Sequence, residues 1–220
     1  MKEVVKIKSI EFMTHDVINL HLSKPANFVY LPGDGAELAI NQDGWNDKFR
    51  PFTFTSLPEE DVLEFNIKSY TDHEGVTNKL ATLKAGEELI LDGPFETVRY
   101  KGEGVFIAGG TGITPFKALL KELHRDGKLG NNKLIFANKT SADIIWKNEF
   151  EAMLGKSFIN VLSGEENPAY EHGYVTADLI KKVMTPSTEY FYLCGPSPMI
   201  KAVKAALLEM GIDASKIIRA

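Results

Sequence analysis

The 220-residue chain carries 25 Lys and Arg against 30 Asp and Glu, a formal net charge of −5, with 44% hydrophobic and 25% charged residues. That is an ordinary globular composition, long enough for one large or two small domains, and its acidic balance argues against a general nucleic-acid binder, whose phosphate contacts need clustered Lys and Arg. A single cysteine, Cys194, excludes an internal disulfide and any cluster or zinc site built from several thiolates. His15, His21, His73, His124 and His172 are scattered without the spacing of a metal pair on one helix, so no metal is expected. The start, Met1 to Lys6, has no apolar segment of signal-peptide length, and no run approaches the roughly 20 apolar residues that span a bilayer. A cytoplasmic enzyme with no membrane span is the expectation.

The first hundred residues read mostly as strands. Residues 5–12 are dense in β-branched side chains, 17–22 follow as a second strand, and Pro32-Gly33-Asp34-Gly35 turns the chain into a third at 36–40. The cleanest alternation is Leu63-Glu64-Phe65-Asn66-Ile67-Lys68, as in a half-buried antiparallel strand. A helix capped by Thr77, with Leu80 and Leu83 on one face, interrupts the series. Residues 88–91 form a strand ended by a turn at Asp92-Gly93-Pro94. Short strands at this spacing predict a small antiparallel β-barrel or sandwich.

From about residue 101 the pattern changes. Gly104-Val105-Phe106-Ile107-Ala108 is a continuous apolar run, as in a parallel strand covered on both faces. A helix is predicted from Ile113 to about Arg125, then a strand at 133–137 and a helix from Ser141 to about Leu154. A strand at 158–162, a helix at 176–183, a strand at 190–194, a helix at 197–210 and a last strand at 215–218 complete the series. Strand and helix in alternation predict a doubly wound α/β domain, with domains 1–100 and 101–220 divided near Tyr100 to Gly104.

Four segments carry chemistry. In Arg50-Pro51-Phe52-Thr53-Phe54-Thr55-Ser56, read as a strand, Arg50, Phe52, Phe54 and Ser56 share one face and Pro51, Thr53 and Thr55 the other. Arg50 offers fixed donors to a pyrophosphate, Phe52 a ring against a flat heterocycle, and Thr53 a hydroxyl and an N–H to a ring nitrogen. On spacing alone a hydrophobic strand with a surface arginine is the better reading. Gly75-Val76-Thr77-Asn78-Lys79-Leu80 places a glycine and a hydroxyl at a helix start, an anion site or an ordinary cap.

Gly109-Gly110-Thr111-Gly112-Ile113-Thr114-Pro115 follows an apolar strand and opens a helix. It suits close approach of backbone to phosphate, or a tight turn without ligand, and lacks the Gly-x-Gly-x-x-Gly spacing of the dinucleotide fingerprint. Cys194-Gly195-Pro196-Ser197-Pro198-Met199 closes another apolar strand. A thiol there is either at a ligand crevice or a buried structural cysteine.

Taken together these strings resemble the ferredoxin–NADP reductase family of flavoproteins. The first is similar to its Arg-x-Tyr-Ser/Thr-x-x-Ser flavin signature, the second to its Gly-x-Ser/Thr-x-x-Leu pyrophosphate segment, the third to Gly-Gly-x-Gly-Ile-Thr-Pro and the fourth to Cys-Gly-Pro-x-x-Met. The resemblance covers nearly the whole chain and is closest to compact members without an iron–sulfur or haem module, such as flavodoxin, ferredoxin or cytochrome b5 reductase-like proteins.

The resemblance implies an N-terminal flavin barrel and a C-terminal pyridine-nucleotide domain, with FAD and NADH or NADPH as cofactors. Arg50 and Pro51 would lie along the flavin phosphates, Phe52 would replace the usual tyrosine on the isoalloxazine, and Thr53 would stand at the hydride-accepting N5. Ile67, Lys68 and Ser69 would line the rest of the flavin nucleotide, and Gly75, Val76 and Thr77 its pyrophosphate. Gly110, Thr111, Gly112 and Pro115 would hold the pyridine nucleotide, Asn138 and Lys139 its adenosine ribose, and Cys194, Gly195, Pro196 and Met199 the nicotinamide side. Thr53 and Cys194 would be the residues nearest the reacting atoms, Cys194 positioning the ring and not attacking it.

Lys139 suits a 2′-phosphate or solvent equally, so the choice of donor stays open, as does FMN in place of FAD. Many relatives run on to a glutamate and a terminal aromatic that covers the flavin; this sequence stops at Arg219-Ala220, which implies a more open nicotinamide face. The activity implied is NAD(P)H-dependent flavoprotein electron transfer to a small carrier such as ferredoxin or flavodoxin, with Lys6, Lys8, Lys48 and Lys101 as a candidate basic patch. The alternatives are a flavin reductase releasing its product, an electron-transfer subunit of a larger oxidoreductase, and a nucleotide sensor without turnover.

Overall fold

The computed structural model describes residues 2–70 and 74–220. The chain separates into two compact units, Met1–Arg99 with Thr114–Glu122, and Tyr100–Ile113 with Leu123–Ala220.

The first unit is a six-stranded antiparallel sheet of β1 (Lys2–Phe12), β2 (Val17–Ser23), β3 (Asp34–Ile40), β4 (Arg50–Thr53), β5 (Val62–Lys68) and β6 (Glu88–Glu96), in the order β4-β3-β6-β1-β2-β5. It nearly closes on itself. The Phe54 N–H donates to Asp34 O on β3 at 3.0 Å, and the next N–H, of Thr55, donates to Glu64 O on β5 at 2.9 Å. The chain thus passes from one edge strand to the other, which removes most of the open edge. This switch ends β4 at Thr53, short of the expected Ser56, although the facing persists. Phe54 enters the barrel core and Phe52 packs against it, while Thr55 bonds Glu64 and Asn66. Phe54 lies 4.2 Å from the Tyr30 ring and 4.8 Å from Phe65, pairs each worth about 0.5–1.5 kcal/mol beyond area burial.

Two expectations in this unit are corrected. Asp92-Gly93-Pro94 is not a turn: β6 runs through it, and a bulge opposite Ala36 absorbs the extra residue. Gly93 is needed there, since a Cβ on it would sit 2.9 Å from Ala36 Cβ. The helix after residue 74 is only α1 (Val76–Leu80), its N-cap is Gly75 and not Thr77, and Leu83 lies beyond its end. Val76, Leu80 and Leu83 nonetheless all enter the barrel core.

The second unit is a six-stranded, wholly parallel sheet of β7 (Gly104–Gly109), β8 (Lys133–Asn138), β9 (Phe158–Leu162), β10 (Glu171–His172), β11 (Tyr190–Cys194) and β12 (Ile217–Arg219), in the order β10-β9-β8-β7-β11-β12. Of its helices, α4 (Ala177–Val183) and α5 (Ser197–Glu209) cover one face through Ile180, Ile200, Val203 and Leu207. The face carrying Phe136 and Phe158 meets α3 (Lys147–Leu154), whose Phe150 ring lies 5.5 Å from Phe158.

The helix expected from Ser141 to Leu154 is broken. A single 3-10 turn at Ser141–Asp143 is followed by α3, and between them Trp146 takes φ 52°. Ile144 and Ile145 are buried in this interruption, so apolar packing overrides the helical pattern. The helix α2 (Thr114–Arg125) has its first nine residues grouped with the barrel unit. The two-residue β10 was not expected from the sequence. Among the described residues no helix is long and apolar enough to cross a membrane.

Candidate functional site

In the parallel sheet the strand order reverses at β7: successive strands step outward through β8 and β9 on one side, and β11 and β12 lie on the other. Ligands of open α/β sheets bind outside the carboxyl ends of the strands at such a switch point. Here β7 delivers Gly109 and Gly110, and β11 delivers Cys194 and Gly195. The two glycine segments, read separately in the sequence, interlock. A Cβ on Gly112 would stand 2.5 Å from Cys194 O, one on Gly109 2.7 Å from Met199 Sδ, and one on Gly195 2.8 Å from Met199 Cε. Gly110 takes φ +52°, and a Cβ there would meet nothing within 4 Å, so its backbone borders open space.

Pro196 is the N-cap of α5, Met199 lies in its first turn, and Pro115 is buried at the start of α2. Burial pushes the Cys194 thiol up to about 11, against a bond from the Gly195 backbone that acts to lower it. The thiol is thereby held in its protonated form further into the alkaline range than an ordinary cysteine.

At the end of β8, Asn138 is buried and its Nδ2 has no hydrogen-bond partner among the described residues. Lys139 is exposed, and its backbone oxygen accepts from Gly164 N at 2.8 Å. Glu165 was not singled out in the sequence. It accepts from Ser141 N at 2.7 Å, from Ser141 Oγ and from Asn167, bonds that hold its carboxyl below the usual range. The loops after β8 and β9 are thereby tied together.

In the barrel unit, Arg50 is exposed and its Nη1 donates to Phe49 O; Pro51 is exposed and Phe52 half-buried. Thr53 Oγ1 donates to Thr114 Oγ1 at 2.8 Å. Thr114 escaped the sequence reading as a site residue; its only signal was its place in the Gly-Ile-Thr-Pro string. The side chains of Ile67 and Val76 are committed to the barrel core, which leaves only their backbone for a ligand.

Lys68 Nζ pairs with Asp16 at 2.6 Å, and Ser69 N donates to Asp16 O at 2.7 Å. Burial opposes ionisation of Asp16, yet the Lys68 ammonium holds its carboxyl below the usual range. Ser69 is buried, with no hydrogen-bond partner for its Oγ among the described residues. Thr77 sits at the second position of α1, beside a Gly75 whose missing Cβ leaves open space.

These features fit the two cofactors. An orphaned Ser69 hydroxyl and an open helix start suit a polar, phosphate-bearing flavin nucleotide in the barrel. The glycine cradle and the orphaned Asn138 amide suit a second nucleotide at the parallel sheet. Among the described residues no three of His, Cys, Asp and Glu gather as a metal site, and His73 lies outside them. Lys6 and Lys8 share one face of β1, and Lys48 stands over the Trp45 ring at 4.4 Å.

Comparison with known proteins bears on both halves. A family model described as an FAD-binding domain matches residues 2–99, and one described as an oxidoreductase NAD-binding domain matches residues 106–205. NADH-cytochrome b5 reductase 1 of Coccidioides immitis is 30% identical over 98% of this chain and 76% of its own length. The reductase component of propane 2-monooxygenase from Rhodococcus jostii is 28% identical over 96% of this chain and 61% of its own. The chain thus spans about three-fifths of several curated relatives. The crystal structure of a ferredoxin NADP+ reductase from Neisseria gonorrhoeae, with bound FAD and NADP, superposes with a TM-score of 0.88 at 20% identity, covering 100% of this chain and 98% of that one, a likeness of fold.

Proposed function

The chain belongs to the ferredoxin–NADP reductase-like family of flavoproteins, and from that premise we propose that it is an NAD(P)H-dependent oxidoreductase that passes electrons through FAD to a protein acceptor. In this reading residues 1–100 hold FAD and residues 101–220 the pyridine nucleotide. The flavin, when bound, supplies the two-electron to one-electron chemistry that nicotinamide lacks. The protein's part is to bind, orient and exclude water.

Arg50 gives its guanidinium to the flavin phosphates once it leaves the Phe49 carbonyl. Phe52 offers its half-buried ring to the isoalloxazine. Thr53 presents its hydroxyl at the hydride-accepting nitrogen. Lys68, Ser69 and the start of α1 hold the remaining nucleotide. Gly110, Thr111, Gly112 and Pro115 shape the pyridine-nucleotide cradle. Asn138 and Lys139 meet the adenosine end. Cys194, Gly195, Pro196 and Met199 fix the nicotinamide side, the neutral thiol packing against the ring without reacting.

The observation that carries the reading is the interlock of Gly109, Gly112 and Gly195 with Cys194 and Met199 at the switch point of the parallel sheet. The glycines let the turn after β7 pack directly against the end of β11, and the Gly110 backbone beside them borders the open space a nucleotide would take. The test is an absorption spectrum of the purified protein before and after anaerobic NADH or NADPH. The expected result is a bound-flavin spectrum that bleaches with at least one nucleotide. A flavin that stays oxidised with both would overturn the reading.

The nature of the acceptor has two supported forms. A small carrier such as ferredoxin or flavodoxin is one. The likeness to a monooxygenase reductase component favours the other, in which the chain serves as the electron-transfer part of a larger oxygenase system. Release of reduced flavin as a product is disfavoured by the buried, unpartnered Ser69 hydroxyl, which suits a retained nucleotide.

A further inference from the structure

We propose that Thr114 is a positioning residue for the flavin chemistry, acting through Thr53. The inference rests on the proposed role of Thr53 at the hydride-accepting ring nitrogen, and extends it to a residue of the other glycine-containing motif. The two hydroxyl oxygens lie 2.8 Å apart, Thr53 half-buried and Thr114 buried. Thr114 opens α2, and Lys121, seven residues further along the same helix stripe, bonds Glu60 at 2.6 Å. Glu60 in turn accepts from Leu57 N at 3.0 Å. α2 is therefore tied to the segment 53–60 at its first residue and again two turns further along.

A hydroxyl has one proton and two acceptor sites and rotates to suit its partners. Thr53 must donate to the ring nitrogen before hydride transfer and accept from it afterwards, because that nitrogen then carries a hydrogen. In the first state the Thr53 proton points to the ring and makes no use of Thr114. In the second Thr53 turns its proton to Thr114, the direction seen in the structure. Thr114 thus keeps the Thr53 proton satisfied after transfer. Without the Thr114 hydroxyl that proton loses its acceptor in a half-buried place, while the state before transfer, in which the proton points to the ring, does not depend on that bond.

The test measures the midpoint potential of bound FAD by dithionite titration against a reference dye, which needs no nicotinamide nucleotide. Thr114→Val, which removes the hydroxyl and keeps the shape, is expected to lower the ratio of reduced to oxidised protein at fixed potential about tenfold, about 30 mV for a two-electron couple. Thr114→Ser is expected to retain the wild-type ratio. In a Thr53→Val background, Thr114→Val should have no further effect. An unchanged potential in a folded, FAD-containing Thr114→Val protein overturns the proposal, as does an equal shift in the Thr53→Val background. A shift in Thr114→Ser of the size predicted for valine also overturns it, and this arm stands even if the valine protein does not fold. Failure of NADH and NADPH to bleach the flavin would sink the reductase reading separately, with these potentials still measurable.

Discussion

Gly112 lies so close to Cys194 that a Cβ on it would stand 2.5 Å from the Cys194 carbonyl oxygen. The contact is backbone against backbone, so no side-chain rotation relieves it. Gly112→Ala must push β11 and the turn after β7 apart. Overpacking of this kind costs about 1–3 kcal/mol. At roughly 2–4 °C per kcal/mol for a chain of this size, thermal melting should fall by about 2–12 °C. Gly110→Ala is the control: it has φ +52° and open space for the new methyl, so only backbone strain of about 1 kcal/mol applies. Equal melting losses in the two variants would refute the interlock as the cause.

Cys194 makes a prediction about alkaline pH. Its thiol is pushed from a reference of 9.0 up to about 11, chiefly by burial. A raised folded value means that the folded state holds the proton more tightly than the unfolded chain. Its contribution is complete below about pH 9 and is lost as pH rises through about 11. The loss amounts to up to about 3 kcal/mol. Cys194→Ala should therefore show a flatter stability profile between pH 9 and 11 in denaturant titrations. Tyr192, pushed up to about 12 by burial, adds its own loss at higher pH in both proteins and cancels in the comparison. The wild-type thiol should also react slowly with iodoacetamide at pH 8; labelling at the rate of free cysteine would contradict the burial argument.

Much of this architecture was legible in the sequence because its signals are local. The continuous apolar run from Gly104 and the alternation from Leu63 to Lys68 each identify one kind of strand, and the structure has both. What failed depended on distant partners. Asp92-Gly93-Pro94 carries turn residues, but Ala36 on β3 draws the segment into a bulged strand. Thr77 has the chemistry of a cap, but the burial of Val76 and Leu80 starts the helix two residues earlier, with Gly75 as its cap. At the candidate site, glycine strings are visible as strings. The pairing of Gly112 with Cys194, or of Thr53 with Thr114, joins positions more than 60 residues apart, and no spacing rule reaches that far.

Lys139 supplies a test of donor choice. It is exposed beside the buried Asn138, and its stem lies against Gly164, where a Cβ would be 2.9 Å from Lys139 Cγ. The glycine lets the lysine lie over the loop that follows β9, with its ammonium free to meet a phosphate. Lys139→Ala should raise KM for NADPH several-fold, in line with an exposed ion pair worth up to about 1 kcal/mol, and leave KM for NADH unchanged. The effect should shrink at high salt. An equal change for both nucleotides in steady-state assays would remove Lys139 from 2′-phosphate recognition.

Asp16 braces the strand end that carries Lys68 and Ser69. Its carboxylate takes the Lys68 ammonium at 2.6 Å and the Thr14 hydroxyl at 3.2 Å, and its backbone oxygen takes the Ser69 N–H at 2.7 Å. Asp16→Asn keeps the shape and the backbone bond but releases Lys68 from its fixed place. Losing a charge-assisted bond of about 1 kcal/mol at this partly buried site should weaken FAD binding roughly fivefold, measured by flavin fluorescence titration. Asp16→Glu, able to reach the ammonium again, should recover part of the loss. The Asp16 carboxyl is held below its reference of 3.8, so its contribution is present above that value and lost as pH falls through the lower folded one. The asparagine protein should therefore lack part of the acid-side loss of stability below about pH 4 that the wild type shows. FAD affinity equal to wild type in Asp16→Asn would mean that Lys68 needs no partner to hold the flavin strand end.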